Sequence, residues 1–336
     1  MSILSHDVKP GRTLILTRQD VTELLTIDDC IAAVEDGLRR HADGLTLGPG
    51  VLGIPATEGG FHIKAAGLKL DRTWFAVKCN GNFVHNPARR GLPVIQGLIL
   101  LCDGDNGTPL AVIDSIEITI LRTGAATAVA ARHLARADSR VVTICGCGNQ
   151  GRVQLRAVSR VLPLERALAF DIDPTRAERF ASEMSVELGV RVEAARDFSE
   201  AVRASDACIT CTPSRSFLLR QEDVRPGAFI AGVGADSEDK QELDPRLFQD
   251  SKVVVDSLEQ CASFGDLHHA LAGGLTTRES VHAELAEIVA GRKPGRTSTG
   301  EVTIFDSTGV ALEDVAAAVI VYQRALEIGL GASLGF

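Results

Sequence analysis

The chain has 336 residues, of which 45% are hydrophobic and 24% are charged, and its formal net charge is −9. This composition excludes an intrinsically disordered chain and leaves room for two domains of ordinary size. The acidic balance argues against nucleic acid as the main partner.

No segment of the sequence has the long apolar run that is typical of a membrane span or a signal peptide. The richest apolar stretches, 98–102 and 310–321, are short or broken by charges, whereas a spanning helix needs ~18 apolar residues. The first residues, MSILSHDVKPGR, contain no long apolar run of the kind that a secretory signal has. We therefore expect a soluble, cytoplasmic protein with no membrane partner.

The cysteine pattern indicates reduced thiols. The eight cysteines lie mostly within apolar runs, as buried free thiols do. Cys208 and Cys211 have the CxxC spacing of redox and metal sites, but they lie in a strand-like run whose period sends them to opposite faces. A metal site would also require further ligand residues beyond this pair. We expect a structural role for this pair and no metal site.

The first 120 residues mix strand and helix. A strand is predicted over 14–17, and a helix begins after Thr26, which can cap it, and ends at Gly44. Between 59 and 114, short apolar runs alternate with Gly, Asn and Pro, which predicts strands joined by turns, with a hairpin at 103–107. This part is predicted to be α+β, with an antiparallel or mixed sheet.

From Glu117 the pattern becomes an alternation of helices and strands. Helices are predicted over 118–135 and 174–188. The predicted strands are 141–145, 167–171, 190–194, 207–210, 228–232 and 253–256. Short apolar strands separated by helices predict a parallel sheet covered on both faces. A last helix, long and amphipathic, is predicted over 311–330 and is expected to pack onto the first domain.

The strongest motif is a glycine turn, GCGNQG, at 146–151. It follows a buried strand directly and opens a helix, which is the context that a dinucleotide-binding GxGxxG requires. Gly146 permits the tight turn, Gly148 lets the backbone approach a pyrophosphate, and Gly151 lets the helix pack closely on the strand. The helix N-terminus offers N–H groups to the phosphates.

An acid follows the second strand of this region. Asp171 lies about 20 residues past the last glycine, where a carboxylate holds the ribose 2′-hydroxyl and repels a 2′-phosphate. The sequence thus favours NAD over NADP, although Arg176 nearby could tolerate the phosphate. The alternative is a glycine turn with Asp171 as a helix cap.

Four motifs occur in one order: RTGAATA at 122–128, the glycine turn, GAD at 234–236 and IFDSTG at 304–309. Together they resemble the ornithine cyclodeaminase/μ-crystallin family, and the resemblance runs over about 17–330. It implies a substrate-binding and dimerisation domain (1–120 with 311–336) and a Rossmann-type NAD-binding domain (121–310), the C-terminal helix completing the first. The fold class is thus α/β with an α+β second domain, and a homodimer is expected.

The resemblance also implies roles for individual residues. Lys78 looks like the family's active-site lysine, Arg122 like the arginine that grips the substrate carboxylate, and Asp236 like the aspartate near the substrate amine. The residues that match family positions near the cofactor are Thr123, Asn149 and Gln150 at the phosphates, and Ser307 and Thr308 at the nicotinamide.

Physical chemistry supports these roles. An arginine fork binds a carboxylate bidentately, and a lysine shielded from water has a depressed pKa and can shuttle a proton. The alternatives are a solvated charge for Lys78, a salt bridge at a domain interface for Arg122 and a turn or cap for Asp236.

The sequence departs from the family pattern in three places. No basic residue stands in the segment LGPGV at 47–51, and Lys64 occupies a position that is apolar in many members. Because His62 and Lys64 share one face of a strand, we hypothesise that Lys64 restores the missing cation with His62 beside it; the alternative is that both face solvent. Residues 237–240 replace a PGK segment. Together these departures put ornithine in doubt as the substrate.

A polar loop follows the lysine strand and contains three basic residues. His85, Arg89 and Arg90 could meet a second substrate carboxylate, as in iminosuccinate, or could be a solvated loop.

The sequence predicts an NAD(H)-dependent oxidoreductase of a small α-amino or α-imino acid, such as an imine reductase, an alanine dehydrogenase or an iminosuccinate reductase. Lys78, Arg122 and Asp236 are the predicted catalytic residues, and Lys64 and His62 complete the substrate site. Two alternatives stay open: a cyclodeaminase that recycles NAD, and an NAD(P)H-binding protein without turnover.

Overall fold

The computed structural model describes residues 12–335. The eleven residues that carry most of the signal-peptide prediction lie outside this range. The described chain forms two compact units, one made of 12–122 with 310–335 and the other of Thr123–Gly309.

The helices and strands follow in chain order. The first part contains β1 (Arg12–Leu16), α1 (Arg18–Leu24), α2 (Ile27–Ala42), β2 (Thr46–Ala56), β3 (Gly59–Lys69), β4 (Thr73–Asn82), α3 (Asn86–Arg90), β5 (Ile95–Asp103), β6 (Pro109–Asp114) and α4 (Ser115–Leu134). The middle part contains β7 (Val141–Cys145), α5 (Asn149–Val158), β8 (Arg166–Phe170), α6 (Pro174–Leu188), β9 (Arg191–Ala194), α7 (Phe198–Arg203), β10 (Ala207–Thr210), β11 (Arg215–Leu219), β12 (Phe229–Gly232), β13 (Gln241–Leu243), α8 (Leu247–Asp250), β14 (Lys252–Val255), α9 (Leu258–Phe264), α10 (Asp266–Ala272), β15 (Ala283–Glu284), α11 (Leu285–Val289) and β16 (Thr303–Asp306). The chain closes with α12 (Ala311–Ile328) and β17 (Ala332–Gly335).

The first unit is built on a seven-stranded mixed sheet in the order β17-β1-β6-β5-β4-β3-β2. Among the strand pairs that the structure describes in this sheet, only β1 and β6 are parallel. The mixed α+β character predicted for this part is therefore confirmed. The helix predicted after Thr26 is also confirmed, and its start is closed by a capping box in which Asp29 N donates to Thr26 Oγ1 at 3.2 Å.

Helix α12 packs against α2, β3 and β4. The prediction that this helix is amphipathic is wrong for its first half, since every residue from Ala311 to Val319 is buried. The reason is that the sheet and α2 both pack on it, so no face is left for water. Tyr322 then meets Trp74 of β4 edge-to-face, with ring centroids 5.8 Å apart.

The second unit contains an eight-stranded parallel sheet in the order β15-β14-β16-β12-β10-β7-β8-β9. This confirms the parallel sheet that the alternating pattern predicts. The strand order reverses beside β7, where β8 lies on one side and β10 on the other. Ligands of such sheets bind outside the carboxyl ends of the strands at this switch point, so the glycine turn after β7 lies at the expected place.

None of the helices within 12–335 combines the length and apolar character that crossing a bilayer requires.

Candidate functional site

The glycine turn connects β7 to α5 in the second unit. Gly146 has φ +102°, which favours glycine, and a Cβ there would lie 2.9 Å from Cys211 O. A Cβ on Gly151 would lie 2.1 Å from Gly146 O, so helix and strand pack too closely for any side chain. Gly148 has no such neighbour within 4 Å. Two glycines thus serve the packing, and the third keeps the backbone open to a ligand.

The N-terminus of α5 has no side-chain cap, because Gly148 is its N-cap residue. Its first N–H groups therefore point away from the helix as donors for an anion. Asn149 is exposed at this end, and Thr123 is half-buried on α4. Among the described residues, the buried Oε1 of Gln150 has no hydrogen-bond partner. The three residues predicted to contact phosphate remain predictions.

Asp171 follows β8 and braces the glycine turn. Its carboxylate accepts hydrogen bonds from Cys147 N at 2.9 Å and Asp173 N at 3.0 Å. Asp173 caps α6, and Arg176 lies 3.6 Å from the Asp173 carboxylate. Ile172 is 95% exposed beside Asp171 and offers apolar surface for a base. These features together fit a dinucleotide whose ribose has an unmodified 2′-hydroxyl: Gly148 leaves space, the helix N-terminus is uncapped and Asp171 offers a carboxylate.

Ser307 and Thr308 are buried in the loop after β16. Ser307 Oγ donates to Asp256 at 2.9 Å and Thr308 Oγ1 at 3.3 Å, while Gly309 N donates to the same carboxylate at 2.5 Å. The hydroxyls predicted to lie near the nicotinamide thus anchor their own loop to Asp256, which the sequence did not single out. Their contact with a nicotinamide stays a prediction.

Further buried carboxylates anchor the loops at this edge of the sheet. Glu242 accepts from Thr210 Oγ1, Thr212 N and Gly234 N at 2.9, 2.6 and 2.8 Å. Burial raises the pKa of Glu242, although these donors oppose the shift. Burial also raises the pKa values of Asp266 and Asp306, and their mutual repulsion adds to the shift of Asp266. The sequence did not single out these carboxylates as site residues: Glu242 lies within β13, Asp266 begins α10 and Asp306 ends β16.

Asp236 lies in the loop after β12 with its side chain 47% exposed. Lys240 Nζ donates to its carboxylate at 2.5 Å. This surface ion pair is one contact of Asp236, and its predicted place near a substrate amine stays a prediction.

The two cysteines of the CxxC pair are free thiols. Cys208 is buried, and Cys211 Sγ donates to Cys145 O and Gly146 O, at 3.3 Å each. Burial raises the pKa of both thiols, which makes them poor nucleophiles. In the part of the chain that the structure describes, no three or more His, Cys, Asp or Glu side chains are grouped to hold a metal ion.

The first unit holds a buried cluster of charges between its sheet and α12. Lys78 on β4 is 3% exposed, and its Nζ lies 2.7 and 2.8 Å from the two carboxylate oxygens of Asp314. Arg122 on α4 is 6% exposed and contacts Glu313 at 2.9 Å and Asp314 at 3.2 Å. Two of the three predicted catalytic residues are thus brought together by one pair of acids.

The surroundings of Lys78 lower its pKa to about 7. Burial is the largest cause, Arg122 and Lys64 add to the shift, and Asp314 opposes it. Burial raises the pKa of Asp314, but Lys78 and Arg122 outweigh burial and hold it below its usual value. A lysine that titrates near pH 7 can both donate and accept a proton under physiological conditions.

Lys64 and His62 lie on β3, on the same face as Lys78. Lys64 is the cross-strand partner of Lys78, and both Lys64 and His62 are half-buried. The alternative of a solvent-facing side chain does not hold for Lys64, whose charge acts on the buried Lys78 and Asp314. The role of Lys64 as a carboxylate ligand is untested.

The polar loop after β4 contains the short helix α3. Arg89 and Arg90 both contact the carboxylate of Glu58, Arg90 at 3.0 Å. Glu58 offsets one of their two positive charges, and His85 is exposed.

Sequence reasoning missed Glu313 and Asp314. The available signal was two adjacent acids in the first turn of a helix that is apolar around them. Charged residues are almost never fully buried unless they are paired. Glu313 and Asp314 are only 1% and 2% exposed, which indicates a specific role.

Comparison with known proteins gives consistent matches over nearly the whole chain. The model of the ornithine cyclodeaminase/mu-crystallin family matches residues 12–329. An alanine dehydrogenase of Archaeoglobus fulgidus is 37% identical over 325 residues, which are 96% of this chain and 98% of that protein.

Two solved structures are similar in fold and sequence. The structure of an archaeal alanine dehydrogenase dimer with bound NAD has a TM-score of 0.93 and 38% identity, covering 97% of this chain and 99% of that one. The Δ1-pyrroline-2-carboxylate reductase of Thermococcus litoralis, in complex with NADH and L-proline, has a TM-score of 0.91 and 37% identity, covering 95% and 99%.

Proposed function

Because the chain belongs to the ornithine cyclodeaminase/mu-crystallin family, we propose that it is an NAD(H)-dependent oxidoreductase of a small α-amino or α-imino acid. The observation that carries this proposal is the buried Lys78, whose pKa lies at about 7 beside an arginine suited to a carboxylate. The names of the relatives described above indicate that they act on alanine or on a cyclic imino acid, and their solved structures contain NAD or NADH.

In the proposed mechanism, Arg122 and Lys64 hold the substrate carboxylate and fix the α-carbon. Lys78 donates a proton to the substrate nitrogen in the reductive direction and accepts it in the oxidative direction. Asp236 stabilises the cationic nitrogen of the imino acid. A nicotinamide dinucleotide held by the glycine turn and Asp171 would supply the hydride-transfer chemistry when bound.

The contacts of the basic loop after β4 favour a substrate with one carboxylate. The two arginines that could meet a second carboxylate already share Glu58. We therefore propose a monocarboxylic substrate over iminosuccinate.

The test follows NADH absorbance with the purified protein, ammonia and a panel of pyruvate, glyoxylate and oxaloacetate, with preformed cyclic imines added separately. Ornithine with catalytic NAD⁺, read by ammonia release, runs alongside. We expect NADH oxidation with a monocarboxylic substrate and none with oxaloacetate. Ammonia from ornithine without net cofactor change would instead identify a cyclodeaminase, and bound NADH without any turnover would identify a binding protein.

We also propose that the protein is a homodimer through the outer face of its mixed sheet. Side chains alternate across a sheet, so the face opposite Lys64 and Lys78 carries Leu52, Ile63, Cys79 and Leu98 in one row across β2, β3, β4 and β5. Leu52 and Leu98 are 53% and 54% exposed, and a groove of about 900 Å³ opens on this face. A continuous exposed apolar face of this kind marks an association surface.

A charge on this face tests the dimer. We expect the wild type to have twice the chain mass by light scattering and Leu98→Lys to dissociate, since it buries an unpaired ammonium in the interface. Val186→Lys is the matched control, because Val186 is 86% exposed on α6 of the other unit. A dimeric Leu98→Lys variant would refute this interface.

We propose that the protein acts in the cytoplasm. All eight cysteines are free thiols. Burial raises the pKa of Cys30 and Cys208, so both stay protonated and unreactive. Free thiols in this number are typical of a reducing compartment.

A further inference from the structure

The family resemblance predicts that Asp236 lies near the substrate amine. The carboxylate that contacts Lys78 in the structure belongs to Asp314. We propose that Asp314, on α12, is the positioning residue that holds the ammonium of Lys78 in place and determines when that lysine carries its proton. This proposal rests on the proposed function and adds a residue to its machinery.

The first argument is geometric. Both carboxylate oxygens of Asp314 lie within hydrogen-bond distance of Lys78 Nζ, at 2.8 and 2.7 Å. The two side chains are 4% and 3% exposed, so water cannot replace either partner. A long flexible lysine has several rotamers, and this contact selects the one that stays against α12.

The second argument concerns charge. The groups that act on the charge of Lys78 are Asp314 on α12, Arg122 on α4 and Lys64 on β3. Around them lie Glu313, which pairs with Arg122, Cys30 on α2, whose charge is coupled to Arg122 and the two acids, and His62, which shares a face of β3 with Lys64. Burial, Arg122 and Lys64 all favour the neutral amine, and burial keeps Cys30 in its neutral thiol form. Asp314 is the anion that opposes them at Lys78, so its loss would lower the pKa of the lysine further.

The third argument comes from the neighbouring acid. Glu313 contacts Arg122 at 2.9 Å, whereas Asp314 contacts Lys78 and also Arg122 at 3.2 Å. The chain thus provides a matched pair of buried acids in adjacent positions. Asp314 acts on the proton of the lysine, and Glu313 acts on the orientation of the arginine that holds the carboxylate.

The kinetic test compares Asp314→Asn with Glu313→Gln in the reductive direction. In the wild type, kcat/KM is constant at acid pH and falls as the pH rises through the pKa of Lys78, because the protonated lysine is the donor. In Asp314→Asn the fall should move at least about one pH unit to lower pH, as expected for the loss of an opposite charge within ~4 Å. In Glu313→Gln the midpoint should stay and KM should rise about tenfold.

Two results would overturn the proposal. One is an unchanged midpoint in Asp314→Asn, and the other is an equal shift in both variants, which would indicate a general disturbance of the cluster. Thermal unfolding of each variant, compared with the wild type, serves as the folding control. Should Asp314→Asn fail to fold, Asp314→Glu keeps the carboxylate but displaces it, and a smaller shift in the same direction is expected; an unchanged or opposite shift refutes the proposal.

A second readout does not require activity. The chain contains seven lysines, so the ¹³Cε signals of labelled lysine can be titrated and the signal of Lys78 identified by its absence in Lys78→Arg. We expect the Lys78 midpoint to fall in Asp314→Asn and to stay in Glu313→Gln. If the Lys78 midpoint falls in Asp314→Asn but the wild-type protein turns over no substrate, the positioning role stands and the proposed function is refuted. Turnover without the shift would refute the positioning role alone.

Discussion

Substituting alanine for two glycines of the turn should separate two effects: Gly151→Ala should lower the stability of the second unit, and Gly148→Ala should weaken its binding of NADH. A Cβ on Gly151 would lie 2.1 Å from Gly146 O, whereas real Cβ atoms stay beyond 3.0 Å from their neighbours. Helix α5 must therefore move about 1 Å from β7, which costs about 3 kcal/mol, the upper range for overpacking. In a domain of this size that cost lowers Tm by about 6–12 °C.

Gly148→Ala is expected to behave in the opposite way. Its φ of −84° suits alanine, and no protein atom lies within 4 Å of the new methyl group. Stability should stay level or rise by up to about 1 kcal/mol, because alanine restricts the unfolded chain. The methyl group would stand where a pyrophosphate approaches the backbone, so the Kd for NADH should rise at least tenfold, or about 1.4 kcal/mol.

The assays are thermal unfolding and fluorescence titration with NADH. Gly300→Ala is the matched control, because Gly300 also has open space around its Cβ position but lies outside the turn, and it should change neither quantity. Wild-type NADH affinity in Gly148→Ala, or a wild-type Tm in Gly151→Ala, would refute the assignment of these glycines.

Three further predictions follow from single contacts. Asp171→Asn should narrow the preference for NADH over NADPH about tenfold in the ratio of Kd values, since the charge that repels a 2′-phosphate is removed; an unchanged ratio would place the selectivity elsewhere. Arg122→Ala should raise KM and lower kcat/KM about 100-fold through the loss of a bidentate carboxylate contact, with the Kd for NADH unchanged; weakened NADH binding would count against this role. Arg324 lowers the pKa of Asp29 from 3.8 to about 2, so this ion pair stabilises the fold above pH 3.8 and its contribution is lost as the pH falls toward 2. The Tm of Asp29→Asn should therefore lie below that of the wild type at pH 7, and the gap should close in acid; a constant gap would contradict the linkage.

The elements that the sequence predicts well are those with local causes. Helix α6 begins after Asp173, with a proline in its first turn, and ends at Gly189, whose φ is +66°. Each of these signals lies within the element it bounds, so no distant residue is needed to place it.

The strands that the sequence missed depend on distant partners. Strand β2 contains several glycines and prolines, which are depleted in strands, and it exists because it pairs with β3 along its length. Strand β16 lies between β12 and β14, and its residues stood out only as a motif. Pairing with neighbours outweighs propensity in such segments.

The candidate site divides in the same way. The glycine turn and Asp171 could be found in the sequence because their spacing along the chain, about 20 residues in one strand–helix–strand unit, is the geometry itself. Asp314 could not, because it is 236 residues from Lys78 and becomes its partner only when α12 packs on β4. The sequence by itself determined the alternation of helices and strands behind the parallel sheet and the position of the glycine turn, and its resemblance to a family predicted the lysine and the arginine. The tertiary structure alone decided which acids are buried beside them, since only packing removes the water that would otherwise screen each charge.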